Sequence, residues 1–149
     1  MRTIITLLGL TTALAASPAA QSVIGLQPLA FGVVLPGVPS TVLKTDPVKA
    51  GRFTILGAPN QRVALDLILP ANLTGPGTPM PLLFGPASAG FADVNDPAQA
   101  SNWNPKNTAH RRLSPGGQGW VFLGGTVSPA AGQTPGTYTN TVVLVVVFN

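Results

Sequence analysis

The last fourteen residues, Gly136 to Asn149 (GTYTNTVVLVVVFN), constrain the fold more than any other stretch. Even-numbered positions carry Tyr138, Asn140, Val142, Leu144, Val146 and Phe148, and odd ones carry Thr139, Thr141, Val143, Val145 and Val147. Alternation of β-branched and aromatic residues at period two means an extended strand, because successive side chains there point to opposite faces. At ~3.3 Å per residue the run would span roughly 35 to 40 Å. From Tyr138 to Thr141 one face is polar, which predicts cover on one side. From Val142 to Phe148 both faces are apolar, which predicts cover on both. Burying one such side chain is worth ~1.5 to 3 kcal/mol, and a wet face of three valines would be sticky.

Such a strand also needs hydrogen-bond partners along both edges, because orphan buried amides are costly. Trp120 to Val127 is the expected partner on one edge, reached through a hairpin at Pro135-Gly136. The apolar segment Ser22 to Phe31 is the expected partner on the other, supplied by the same chain or by a neighbour. The candidate assembly strand is thus Gly136, Tyr138, Val142, Leu144, Val146 and Phe148. The candidate donor or first strand is Ile24, Leu26, Leu29 and Phe31.

Composition agrees with strands. Gly 17 and Pro 16 in 149 residues, with only 8% charged, describe short strands joined by turns, since helix interiors exclude both residues. A hydrophobic fraction of 45% argues against disorder. Arg2, the short apolar run Ile4 to Ala16 and the small residues Ser17 to Ala20 read as a secretory signal peptide over residues 1–20. That predicts a mature domain of residues 21–149 with no transmembrane segment, in the periplasm, outside the cell or on its surface. Cysteine is absent, so stability must come from packing and strand pairing. The formal net charge of +4 comes from scattered basic residues, clustered only at His110-Arg111-Arg112. A nucleic-acid partner would need a denser patch interleaved with aromatics, and none is expected.

Along the chain, Thr41 to Thr45, Ala50 to Leu56, Arg62 to Leu69, Met80 to Phe84 and Trp120 to Val127 read as further strands. Arg62 to Leu69 is the cleanest, with Val63, Leu65, Leu67 and Leu69 facing in. Gly124-Gly125 marks a bulge in Trp120 to Val127. Residues 85–118 keep no period and read as a long loop, of a kind usually functional. Phe91, Val94, Trp103 and Leu113 are the side chains able to pin it down. About seven strands, frequent turns and no helix give an all-β fold. By elimination it is an antiparallel immunoglobulin-like sandwich, either self-complete or completed by a donated strand.

Catalytic machinery is sparse. The one histidine, His110, has no obvious carboxylate partner, cysteine is absent and no nucleophile-elbow motif occurs. Asp93-Val94-Asn95-Asp96 is the one oxygen-rich cluster, but the chain has no Glu to complete a calcium loop. No enzyme activity, metal or cofactor is expected. Trp120, inside a strand, is expected in the core, and Trp103, in the long loop, is the better candidate for a binding contact.

Leu29-Ala30-Phe31-Gly32, Leu123-Gly124-Gly125-Thr126 and Gly136-Thr137-Tyr138-Thr139 resemble the domain of unknown function 4402 family, bacterial exported proteins regarded as fimbria- or adhesin-like. The end of the chain also resembles chaperone–usher pilin subunits, with Gly136 fourteen residues from the C-terminus and Phe148 penultimate. The pilin resemblance implies an incomplete sandwich whose last strand borders a groove filled by a chaperone or a neighbouring subunit. The leading expectation is therefore an exported, non-enzymatic structural subunit of a fimbria-like or other surface assembly. Its partners would be further copies, a related surface subunit or a periplasmic chaperone. The alternative is a monomeric extracellular module, with carbohydrate as one candidate ligand. It would bind through the 85–118 loop by Trp103, His110, Arg111 and Arg112.

Overall fold

A computed structural model describes residues 20–149; the predicted signal segment, but for its last residue, lies outside that range. Among the described residues there are twelve strands and no α-helix, and the only helical element is a single 3-10 turn at Pro97–Gln99. They are β1 (Ser22–Gln27), β2 (Ser40–Val42), β3 (Gly51–Leu56), β4 (Arg62–Ile68), β5 (Asn72–Leu73) and β6 (Met80–Leu83). Then follow β7 (Ala89–Ala92), β8 (Ser101–Trp103), β9 (Ala109–Arg112), β10 (Gln118–Leu123), β11 (Gly125–Val127) and β12 (Val143–Phe148). The sequence count of seven falls short by five: β5 is only two residues long, β7, β8 and β9 lie in the stretch without period, and β10 and β11 read as one strand.

The strands form three antiparallel sheets in a sandwich-like fold, ordered β1-β3-β10-β7-β8, β2-β11-β6-β5 and β12-β4-β9. Side chains from all three meet in one core, with Ile55, Leu65, Val121 and Val127 completely buried. β4 follows its alternation: Val63 and Leu65 are buried while Arg62 and Ile68 are exposed.

Gly124 is where one run of chain serves two sheets. β10 pairs with β3 and β7, and β11, one residue later, pairs with β2 and β6. The Gly124 amide still donates to the Ser88 carbonyl at 2.8 Å, which carries the β10–β7 register one residue beyond Leu123 before the chain changes sheet. A Cβ at this position would collide with the Val42 carbonyl and come within 2.6 Å of the Lys44 amide. Only glycine admits that close backbone approach, so the predicted bulge is in fact a change of sheet.

Three expectations are corrected. Residues 85–118 are not a structureless loop: β7, β8 and β9 lie within them, and Phe91, Trp103 and Leu113 are buried. No hairpin forms at Pro135-Gly136, because β12 pairs with β4 along its whole length, from Val143 opposite Ile68 to Phe148 opposite Val63. The predicted strand from Tyr138 is shorter than expected, beginning only at Val143; Thr139 makes one isolated bridge to Thr74.

Candidate functional site

β12 is paired on one side only. The Asn149 amide donates to the Arg62 carbonyl at 2.9 Å, which continues the β4 ladder beyond Phe148. In an antiparallel ladder, residues alternate between pairs that exchange both backbone hydrogen bonds and pairs that exchange none. Asn149, Val147, Val145 and Val143 therefore turn their amides and carbonyls toward β4. Leu144, Val146 and Phe148 turn theirs to the open edge. Ser22 to Phe31 does not fill that edge, because β1 pairs instead with β3, from Ser22 opposite Leu56 to Gln27 opposite Arg52.

The side chains of β12 divide the same way. Leu144 is buried and Val146 and Phe148 pack against the core. Val143, Val145 and Val147 are 44%, 39% and 50% exposed, so the expectation of cover on both faces is overturned. Ile68, opposite Val143 on β4, extends this uncovered apolar strip.

Six sheet edges exist among the described residues, and the other five are blunted in ways that discourage pairing with another chain. β1 is bulged between Gly25 and Gln27 and followed by Pro28. β2 and β8 are three residues long and β5 is two. β9 carries His110, Arg111 and Arg112. β12 alone is six residues long with no bulge, proline, glycine or charge.

Beside the start of β12 lies an apolar cleft of about 960 Å³, walled by residues 25–34 on one side and 133–142 on the other. The floor is core: Phe53, Leu73, Met80, Leu82, Leu123 and Val127. No Asp, Glu, Lys, Arg or His lines it. Its polar side chains are concentrated on the 133–142 wall and are partly tied down there. Gln133 donates to the Thr78 carbonyl at 2.6 Å, and the Tyr138 hydroxyl donates to the Thr134 carbonyl at 2.9 Å. Gly136 belongs to this wall for a steric reason: a Cβ there would run into the ring of Pro76. The cleft thus gathers Leu26, Leu29 and Phe31 of the candidate first strand with Gly136, Tyr138 and Val142 of the candidate assembly strand. Ile24, on the exposed part of β1, stays outside it.

The candidate loop site does not assemble. Trp103 is only 5% exposed, and its indole N–H donates to the Asn107 carbonyl at 2.7 Å. Trp120, expected in the core, is the half-buried tryptophan. His110 and Arg112 lie on the outer face of the β12-β4-β9 sheet, with Arg112 directly opposite Arg62, while Arg111 takes the other face opposite Val63. Asp96 shapes a turn: the Gln99 side-chain amide and the Ala98 N–H both donate to its carboxylate and hold its pKa below the usual carboxylate value. Among the described residues no group of three or more His, Asp or Glu is placed to hold a metal ion. No described helix is long and apolar enough to cross a membrane.

No family model matches the chain, and no curated protein matches it. The functional reading therefore rests on the geometry of β12 and its surroundings.

Proposed function

We propose that the protein is an exported, non-enzymatic structural subunit of a fimbria-like or other surface assembly, joined to its neighbours by β-strand pairing. The observation that supports this is β12, an unblunted edge strand with an uncovered hydrocarbon face. An added strand would satisfy the amides and carbonyls of Leu144, Val146 and Phe148 and bury Val143, Val145 and Val147. Main-chain pairing supplies affinity in such contacts and the alternate side chains supply selectivity. The test is size-exclusion chromatography with light scattering over a range of protein concentrations. The subunit reading expects the monomer to give way to a dimer or to larger multiples as concentration rises. A single monomeric species throughout would end it.

A second reading, a binding module, is favoured by the cleft and not by the 85–118 segment. A volume of about 960 Å³ with no ionisable Asp, Glu, Lys, Arg or His suits an uncharged, apolar small molecule. An apolar fluorescent probe should then bind with one-to-one stoichiometry, and Leu82→Trp, which fills the floor, should expel it. Probe binding unaffected by that substitution would place the probe elsewhere and remove this reading.

A further inference from the structure

We infer that the occupant of the β12 edge is β12 of a second copy, in antiparallel two-fold pairing centred on Val145. This rests on the strand-pairing reading and adds to it the partner and the register.

The choice of partner follows from the other edges. Pairing β12 with any other edge of the same protein would set it against a bulge, a proline, a charged row or a strand of two or three residues. Only another β12 offers an equal length of free backbone. A two-fold axis uses the same patch on both copies, so each hydrogen bond formed is formed twice.

The register follows from the direction of the free amides. In antiparallel pairing, Leu144 of one copy exchanges both backbone hydrogen bonds with Val146 of the other, and Val146 with Leu144. Val145 then faces Val145 as a pair without hydrogen bonds, the type whose Cα atoms lie about 4.5 Å apart and whose side chains are closest. On the outer face Val143 meets Val147, so every uncovered valine finds a valine. Centring the axis on Val146 would set Val143 against Asn149 and leave this match incomplete.

Charge supports the antiparallel sense. Arg62 lies opposite Asn149 at one end of β12, and Arg112 lies opposite Arg62 on the next strand. Antiparallel pairing puts the two arginine clusters at opposite ends of a continuous six-stranded sheet. Parallel pairing would bring them to the same end. Within β12 no charged side chain of either sign opposes pairing.

The absence of cysteine makes the test direct, because one introduced thiol is the only one in the chain. Val145→Cys, oxidised gently in dilute solution, should pass to a disulfide-linked species of twice the monomer mass. Val143→Cys and Val147→Cys should each link poorly alone and link to one another when mixed. Val145 is exposed, so the substitution leaves the core untouched, and the mixed pair gives an independent reading. Self-linking at all three positions would mean parallel pairing and overturn the proposal. It would also fall if Val145→Cys stayed monomeric while the unsubstituted protein still associated and Val145→Lys stopped it. In that case strand pairing through β12 would stand, with a different partner strand. If the unsubstituted protein did not associate at all, both readings would fall together.

Discussion

Leu144→Asp should leave the chain unable to fold stably. Leu144 is only 9% exposed, lies opposite Leu67 and belongs to the cluster holding the three sheets together. A carboxylate there is removed from water into an apolar cluster, and the leucine's own burial is lost as well. The combined cost is several kcal/mol, against the ~5 to 15 kcal/mol that typically holds a domain folded. Chemical denaturation followed by tryptophan fluorescence measures it. The expected outcome is no cooperative transition, or a midpoint far below that of the unsubstituted protein. Leu144→Val, which removes one methylene, should cost only about 1 kcal/mol and separates a packing loss from a buried charge. An unchanged midpoint for Leu144→Asp would mean that the inward face of β12 is not part of the core.

This contrast also marks how far the sequence could be read. Hydrophobic periodicity reports which side chains point inward, and at β4 it reported them correctly for Val63 and Leu65. It does not report which strand lies alongside. β12 pairs with β4, roughly eighty residues earlier, and not with the nearby β10 and β11, because β3 and β7 take both edges of β10 and β2 and β6 take both edges of β11. Periodicity fails differently in residues 85–118. Strands of three or four residues such as Ala89–Ala92 and Ser101–Trp103 are too short and too rich in small residues to display an alternation. Their pairing comes from neighbours, since β7 is buried along its whole length between β10 and β8.

Trp103 and Trp120 exchanged their expected roles for a related reason. A tryptophan in a strand is half-buried where its face of the sheet is open, and one at a strand end is buried where it packs on the core and a nearby carbonyl accepts its N–H. The Asn107 carbonyl does that for Trp103. The candidate site was legible in part. An apolar C-terminal strand in need of a partner could be read from valine, leucine and phenylalanine at alternate positions. That its outer face and one edge stay open could not, because exposure depends on which strands take the remaining places in the sheet.

Val145→Lys should give the converse of Leu144→Asp, one residue along the same strand. Val145 points outward and is 39% exposed, so a lysine there can reach water over the sheet surface without disturbing the core. The folding stability of the isolated chain should change by no more than about 0.5 kcal/mol, the usual range for a surface substitution. Association should be lost. A lysine on an edge strand is a common natural device against strand addition, and in the two-fold arrangement it would place two ammonium groups face to face at the centre of the interface. Light scattering should therefore report a monomer at concentrations where the unsubstituted protein associates, while the denaturation midpoint, measured at dilution, stays where it was. Association as strong as before would show that the contact lies elsewhere on the surface. A lowered midpoint with association retained would show that Val143, Val145 and Val147 stabilise the single chain. The proposal depends on the opposite separation, with the even positions of β12 folding the domain and the odd positions joining it to its neighbour.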